Sequence, residues 1–426
     1  MLALRIHGHN DLESKRDILN GIARDLLNNG VENGAIRIYS YPSVDAVFSS
    51  NLLFFNLQRL GINTTMSVSI NPPKYVEEPH IIIGYSSPKI SDNKSSSMRV
   101  CITKKLTEPP SPNTFCIEYN SSLGIAVATF LEGSGVLSKE SSQLSMFSVY
   151  LSSRTLKPVI TEIDRAYIND WISRRELEDV SLREDLLIQG IDSYNIVDSL
   201  YYTVEPLIPG LTGDRQSIVE EFKSKGLDSV MTEKAGGIDD KDMAEILKLM
   251  VSKINEHSKR KIDPRDLVGE VLISRGIGLD FVSLKRILYY AIAREGTFDP
   301  VTRLVYDPTS FAAVYVKRYE KLIDGEEIQD IVRRSFVRFE RVRQYPWLNL
   351  YLVPGMPVCY AHIIGFNLRF GGFIENESIV AVRGEDGKIV TTLPEMEYGQ
   401  ESSILKKIET QMLAKLVDTR VFFNIA

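Results

Sequence analysis

Three short runs near the N-terminus have the form of strand ends, the places where side chains could touch a metal or a phosphate: Tyr41-Pro42-Ser43-Val44-Asp45-Ala46, Ile81-Ile82-Ile83-Gly84 and Val100-Cys101-Ile102-Thr103-Lys104-Lys105. A two-metal hydrolase must offset two divalent cations about 4 Å apart with several carboxylates and imidazoles, which also fix an attacking hydroxide. The three runs offer one carboxylate, Asp45. Lys104 and Lys105 work against such a site, because an ammonium has no lone pair for a metal and repels one; the same charges would suit a phosphate backbone. Simpler roles compete. Ser43 or Asp45, just ahead of an apolar run, would cap a helix starting near Ala46, and a lysine pair after a strand reads equally as a solvated loop.

What must position these residues is a set of strand ends. Ile36–Tyr41 reads as a strand, Asp45–Leu60 as a helix stopped by Gly61, and Thr64–Ile70 as an alternating strand, together a βαβ unit. Further strands are expected at His80–Tyr85, Arg99–Thr103 and Phe115–Tyr119, then helices over Ser122–Glu132 and Lys139–Ser153, with polar or proline-rich loops at Asp92–Ser97 and Leu106–Asn113. The pattern predicts an α/β fold with a mostly parallel, doubly wound sheet. Ligands of such sheets gather at the carboxyl ends of the strands, where the three runs fall.

From about Ile163 the composition turns helical and charged, with apolar stripes at Met243, Ile246, Leu247, Met250, Ile254 and at Leu284, Ile287, Leu288, Ala291, Ile292 before Gly296. Breaks are expected between Pro206 and Gly213 and at Gly236-Gly237. Past Pro346, strands are expected at Val358–Phe366, Ser378–Arg383 and Lys388–Leu393, the last two joined by a turn at Glu385-Asp386-Gly387, and a final helix over Ser403–Val417. The division reads as an α/β domain over 1–164, a helical domain over 165–345 and a small α+β domain over 346–426.

The three strand ends resemble the first motifs of the RecJ-like DHH phosphoesterases: a His-x-Asp-x-Asp run, an apolar strand ending in Asp, and a strand ending in Asp-His-His. Their positions fall here on Tyr41, Ser43, Asp45, Gly84, Thr103, Lys104 and Lys105, and only Asp45 keeps the family's residue. The region of a fourth family Asp has no acidic residue between Ser141 and Ser153, and no Gly-Gly-His stretch follows, Gly371-Gly372 preceding Phe373. The chain therefore resembles the catalytically inactive archaeal branch of that superfamily, the counterpart of the eukaryotic cell-division-cycle protein forty-five. The resemblance implies a DHH-like first domain with a degenerate site, no metal or cofactor, and a non-catalytic part in DNA replication with the GINS complex and the MCM helicase as partners. Single-stranded DNA is a further expected contact. The alternative is an active single-strand nuclease or phosphoesterase of the RecJ type with an unusual site.

The rest of the sequence bounds these readings. Its 426 residues suffice for two or three domains, and 43% hydrophobic with 25% charged residues is ordinary for a globular protein. A net charge of −6 argues against coating nucleic acid by bulk electrostatics, so any contact is local. Two basic clusters could supply it: Lys253, His257, Lys259, Arg260, Lys261, and Arg333, Arg334, Arg338, Arg341, Arg343 among Phe336, Phe339 and Tyr345. With the net charge negative, a solvated helix face complementing its own C-terminal dipole, or an Arg-rich contact for an acidic partner, is the preferred reading of these clusters. His7-Gly8-His9-Asn10-Asp11 imitates a metal-ligand spacing without a partner cluster and is expected to be a loop after the first strand. Scattered Cys101, Cys116 and Cys359, and no apolar segment of membrane-spanning length, lead to the expectation of a soluble cytoplasmic protein, associated with the chromosome under the resemblance.

Overall fold

The computed structural model describes residues 2–73, 76, 78–86, 98–107, 114–153, 155, 157–173, 180–325, 327–343, 348–384, 387–399, 405, 407–408 and 414–423. The loop expected at Asp92–Ser97, most of that at Leu106–Asn113, Tyr345 and the turn residues Glu385 and Asp386 lie outside them. The chain forms two compact units, one of residues 1–152, 159–178 and 301–306, the other of 153–158, 179–300 and 307–426.

The first unit is built on six strands, β1 (Leu2–Ile6), β2 (Ile36–Ser40), β3 (Thr64–Val68), β4 (His80–Ile83), β5 (Arg99–Thr103) and β6 (Thr114–Tyr119). Their order is β1-β6-β5-β4-β2-β3 with every neighbouring pair parallel, as the βαβ pattern predicted. A parallel sheet is covered on both faces, so its central strands read as continuous apolar runs. All of β4 and β5 is buried accordingly, and Ile81, Ile82 and Ile83 each contribute about 1.5–3 kcal/mol by leaving water. Helices α1 (His9–Asn33), α2 (Val44–Arg59) and α3 (Leu123–Glu132) pack on the strands, while α4 (Lys139–Leu151) packs on α2 and α3, and α5 (Glu162–Ser173) on α1 and α4. The stretch expected as a loop at His7–Asp11 instead opens α1 at His9, with the His7 amide donating to the Asp11 carboxylate at 3.2 Å.

The second unit opens with β7 (Val180–Leu186), α6 (Ile196–Tyr202), α7 (Arg215–Ser224), α8 (Asp240–His257), β8 (Val268–Ser274), β9 (Leu279–Asp280) and α9 (Phe281–Glu295). Both expected apolar stripes lie on helices, in α8 and α9, and α9 stops at Gly296 in the left-handed conformation, φ 72°. Amid these helices β7, β8 and β9 make a three-stranded antiparallel sheet that helical periodicity did not announce. Next come α10 (Asp299–Tyr306), whose last six residues belong to the first unit, α11 (Pro308–Asp324), α12 (Glu327–Ser335), β10 (Glu340–Arg341), β11 (Leu350–Val353), α13 (Ala361–Phe370), β12 (Ile379–Arg383), β13 (Ile389–Thr392), α14 (Leu393–Gly399), β14 (Ala414–Val417) and β15 (Arg420–Phe423). A mixed sheet in the order β10-β11-β12-β13-β15-β14 closes the chain.

Two expectations fail here. Val358–Phe366 is not a strand: it forms a short 3-10 turn and then α13, because a continuous apolar run has no periodicity that separates a buried strand from a buried helix. Of the helix expected over Ser403–Val417, the described residues Leu405, Lys407 and Ile408 are helical, but the last four residues are β14, folded back on β15 through Asp418 at φ 51°.

The helix at 361–370 is held by a buried ion pair. Arg369 grips Glu395 with both guanidinium arms at 2.6 and 2.8 Å, and the Val380 amide donates to the same carboxylate at 2.7 Å. Burial still holds the Glu395 carboxyl above its ordinary range, with Arg369 acting in the opposite direction. Gly365 leaves the room for this arrangement, since a Cβ there would lie 2.3 Å from both carboxylate oxygens. Gly365→Ala should thus displace Glu395 and cost about 3–5 kcal/mol, the usual loss when one partner of a buried pair is stranded. Chemical denaturation measures it, and an unchanged midpoint would contradict the account.

Candidate functional site

The three runs converge at the carboxyl ends of β2, β4 and β5. After β2 the chain turns at Tyr41, whose amide donates to Ile83 O at 2.9 Å, and Ser43 caps α2 by accepting from the Ala46 amide at 3.2 Å. The capping role expected for Ser43 or Asp45 belongs to Ser43. Asp45 sits in the first turn of α2, where the helix dipole favours a negative charge. Tyr41 is buried edge-on against Tyr85, whose hydroxyl lies within hydrogen-bond reach of Ser40 O and Ser69 O at 3.0 and 2.6 Å and so ties the ends of β2 and β3 together.

Asp45 is buried and its carboxyl is held above the ordinary Asp range by desolvation; Lys104 and the Leu123 amide at the start of α3 act the other way. Lys104 Nζ lies 2.6 Å from Asp45 Oδ2, the carboxylate side chain 7% exposed and the lysine 41%. The ammonium thus reaches in from solvent to serve as counter-ion to the buried carboxylate. Thr103 is buried with its hydroxyl directed to Lys105 O at 3.4 Å, and Lys105 is exposed.

Gly84 cannot hold a side chain here. Its φ is +84°, and a Cβ would lie 2.8 Å from the Ala46 Cβ and 3.3 Å from the Tyr41 Cβ. An Asp at this position would be strained in the backbone and would clash with the start of α2.

A second carboxylate that the sequence reading passed over comes near. Asp164, in the first turn of α5, is close enough for its charge to raise Asp45 slightly. Its Oδ1 accepts from Ser121 Oγ, Ser122 N and Ser122 Oγ at 2.5, 3.2 and 3.2 Å, and its Oδ2 from Thr161 N and Thr161 Oγ1 at 3.0 and 2.8 Å. The Thr161 hydroxyl in turn accepts from the Asp164 amide at 3.2 Å. That reciprocal pair is a capping box, legible as Thr161-Glu162-Ile163-Asp164. Among the described residues no group of three or more His, Cys, Asp or Glu side chains is placed to hold a metal ion.

The arginine set lies in the other unit. Arg333 and Arg334 stand in the last turn of α12, Arg341 in β10, and all five arginines are exposed. Arg341 donates to Asn349 Oδ1 at 2.6 Å, Phe336 stacks on Phe373 with ring centroids 4.8 Å apart, and Phe339 meets Tyr351 edge-on at 5.8 Å. In the first basic cluster Lys253 is paired with Glu221 at 2.5 Å and Lys261 donates to Asn255 O at 2.9 Å.

The Lys104–Asp45 pair makes a prediction with a sign. Because Asp45 has a raised carboxyl value in the fold, its ionisation opposes folding: the stability is fully present below the ordinary Asp value of 3.8 and is lost as pH rises through the raised value. Asp45→Asn should therefore be no less stable than the wild type near neutral pH, the gap opening as pH rises from about 4. Lys104→Met, which strands the carboxylate, should cost about 1–3 kcal/mol, less than a fully enclosed pair because the lysine reaches solvent. The double variant should recover most of that loss. Melting curves against pH decide it, and a Lys104→Met protein as stable as the wild type would refute the counter-ion role.

No family model matches the chain, and no curated protein matches it. Solved structures do. The crystal structure of CDC45 from Entamoeba histolytica superposes with a TM-score of 0.64 at 11% identity, over 99% of this chain and 96% of that one. RecJ from Thermus thermophilus in complex with Mn2+ gives 0.42 at 9% identity over 96% of this chain and 52% of that one, and an exonuclease RecJ bound to manganese gives 0.40 at 9% over 96% and 90%. At these identities the likeness concerns architecture. The resemblance carried by the three strand ends is met in the fold, and the chain has a CDC45-like fold from one end to the other.

Proposed function

We propose that this chain is a non-catalytic DNA-replication factor, a scaffold in a replicative helicase assembly with GINS and MCM, the partners that the resemblance implies. The observation that carries the non-catalytic part is the Lys104–Asp45 pair: the one carboxylate left from the family pattern is neutralised by an ammonium from a position where the family has a metal-binding residue. Gly84 supports it, since the backbone there excludes the side chain that the pattern needs. The rival nuclease requires a cluster of free acids around Asp45, and Asp164, whose two oxygens already take five donors, does not supply one. The CDC45-like fold supports the replication part. Lys105, exposed beside the pair, is the residue through which single-stranded DNA would be felt at this strand end, weakly and with steep salt dependence.

Two measurements test the reading. With manganese or magnesium the purified protein should leave 5′-labelled single strands and dinucleotides intact, whereas cleavage abolished by Asp45→Ala would establish the nuclease. Mixed at micromolar concentration with GINS from the same cell, it should co-elute in size-exclusion chromatography and raise the activity of the MCM helicase. Separate elution at moderate salt would remove the replisome role.

A further inference from the structure

The second unit carries a groove of about 630 Å³ that nothing above uses. Phe336 and Val337, in the turn that follows α12, line it together with Arg333, Pro209, His257 and Phe373, whose ring stacks on that of Phe336. The turn is fixed by backbone bonds: the amides of Val337 and Arg338 donate to Arg334 O at 3.2 and 3.1 Å. Phe373 is anchored by its amide to Leu368 O at 2.8 Å, and the amides of Lys259 and Arg260 both donate to Gly371 O, which brings the residues after α8 close to the aromatic pair. Lys259 Nζ lies 5.3 Å from the centre of the Phe373 ring. Both the turn and Phe373 are therefore tied in place before anything binds.

Two properties stand out against the rest of the surface. Val337 is 84% exposed, the highest value for a large apolar side chain among the described residues. Around it Lys259, Arg260, Arg333, Arg334 and Arg338 are exposed, and none of them forms an ion pair among the described residues. Arg333 does act on the nearby Asp214 carboxyl, but that group is engaged by the Ser217 amide and hydroxyl at 3.0 and 2.7 Å. In a protein of net charge −6 this is a local excess of positive charge around an apolar floor.

We propose that the groove docks an acidic segment of another protein, which places one large apolar side chain on Val337, Pro209 and the Phe336–Phe373 pair and sets its carboxylates on Arg333, Arg334 and Lys259. An apolar anchor ringed by charge is the usual economy of such contacts, with Arg and aromatic residues dominating. A nucleic acid strand fits less well. The two rings lie nearly parallel, 8° apart, and cover each other's inner faces, the remaining floor is aliphatic, and the overall negative charge weighs most on a polyanion with one charge per nucleotide.

The inference does not depend on the replication reading, and its test contains neither GINS nor MCM, so each can fail alone. Peptides of about twelve residues displayed on phage are selected on the purified full chain, with oligothymidylate measured in parallel. Selection should enrich peptides with several Asp or Glu around a Phe, Trp or Leu. Synthetic copies should lose about tenfold or more in affinity on Val337→Glu and on Arg333→Glu, both surface changes that leave the fold in place. The proposal is overturned if no such peptides are enriched, if those enriched bind both variants as well as the wild type, or if oligothymidylate binds more tightly than any selected peptide and loses its affinity in the same variants.

Discussion

A carboxylate withdrawn from water has to have its charge offset, and at the carboxyl end of a parallel sheet few groups are in reach to do it. Asp45 is the group that sets this condition in the first unit. The first turn of α2 and the Leu123 amide at the start of α3 supply partial positive charge, and Lys104 supplies a whole one from the end of β5. Strand β5 must therefore end where it does, and its neighbour β4 must hand the chain on without a side chain between them. A metal ion could satisfy the same electrostatic condition, but only with several more ligands. A lysine satisfies it alone because it brings its charge on a flexible stem and needs no coordination sphere.

The surroundings fit that solution. A Cβ at Gly84 would lie 2.8 Å from the Ala46 Cβ and 3.3 Å from the Tyr41 Cβ, so an Asp there would press on the start of α2. The segment where a fourth acid was looked for is instead a row of serines on α4: Ser141, Ser142, Ser145 and Ser148 are all buried. Their small size lets α4 approach α3 closely, for a Cβ on Gly124 would lie 2.5 Å from Ser148 Oγ. A carboxylate at 148 would have to occupy space that α3 already fills. One of these serines also extends the hydrogen bonding of Asp164, Ser148 Oγ lying 2.7 Å from Ser122 Oγ, which in turn donates to Asp164 Oδ1 at 3.2 Å.

Much of this architecture could be read from the chain. The parallel sheet followed from short apolar runs alternating with helix-period segments and glycine stops, the succession that βαβ units require. The identity of the strand-end residues was equally plain, and so was the want of acids. Contacts between distant strand ends were not, because nothing in the spacing of Asp45 and Lys104 says that one side chain bends back to the other. Asp164 is legible as the last residue of a Thr-x-x-Asp box, but it lies beyond the Ser141–Ser153 segment where the family pattern leads one to expect a fourth acid. Val358–Phe366 was misread for a different reason: a helix buried on every side loses the amphipathic stripe that identifies it. The β14–β15 hairpin turns on Asp418 in a positive-φ conformation, which Asp tolerates without advertising it.

Strongly shifted ionisable groups commonly mark active sites, and the second unit has several. Burial pushes the Glu205 carboxyl up to about 7 and the Lys285 ammonium down to about 7, and holds His362 down at about 3. Yet all three are enclosed. Lys285 donates to Ser153 O at 2.6 Å, Arg286 bonds to Leu187 O at 2.7 Å and to Glu205 O, and His362 Nε2 stands 4.0 Å from Glu205 Oε1 with both side chains at or near zero exposure. A catalytic acid or base must meet its substrate, so a shift caused by desolvation in a closed core reports the cost of burial and nothing about chemistry. The same criterion separates the two members of the pair in the first unit. A ligand arriving at that strand end meets the ammonium of Lys104, which reaches solvent, and not the carboxylate beneath it. What this strand end presents to solvent is therefore the positive charge of Lys104.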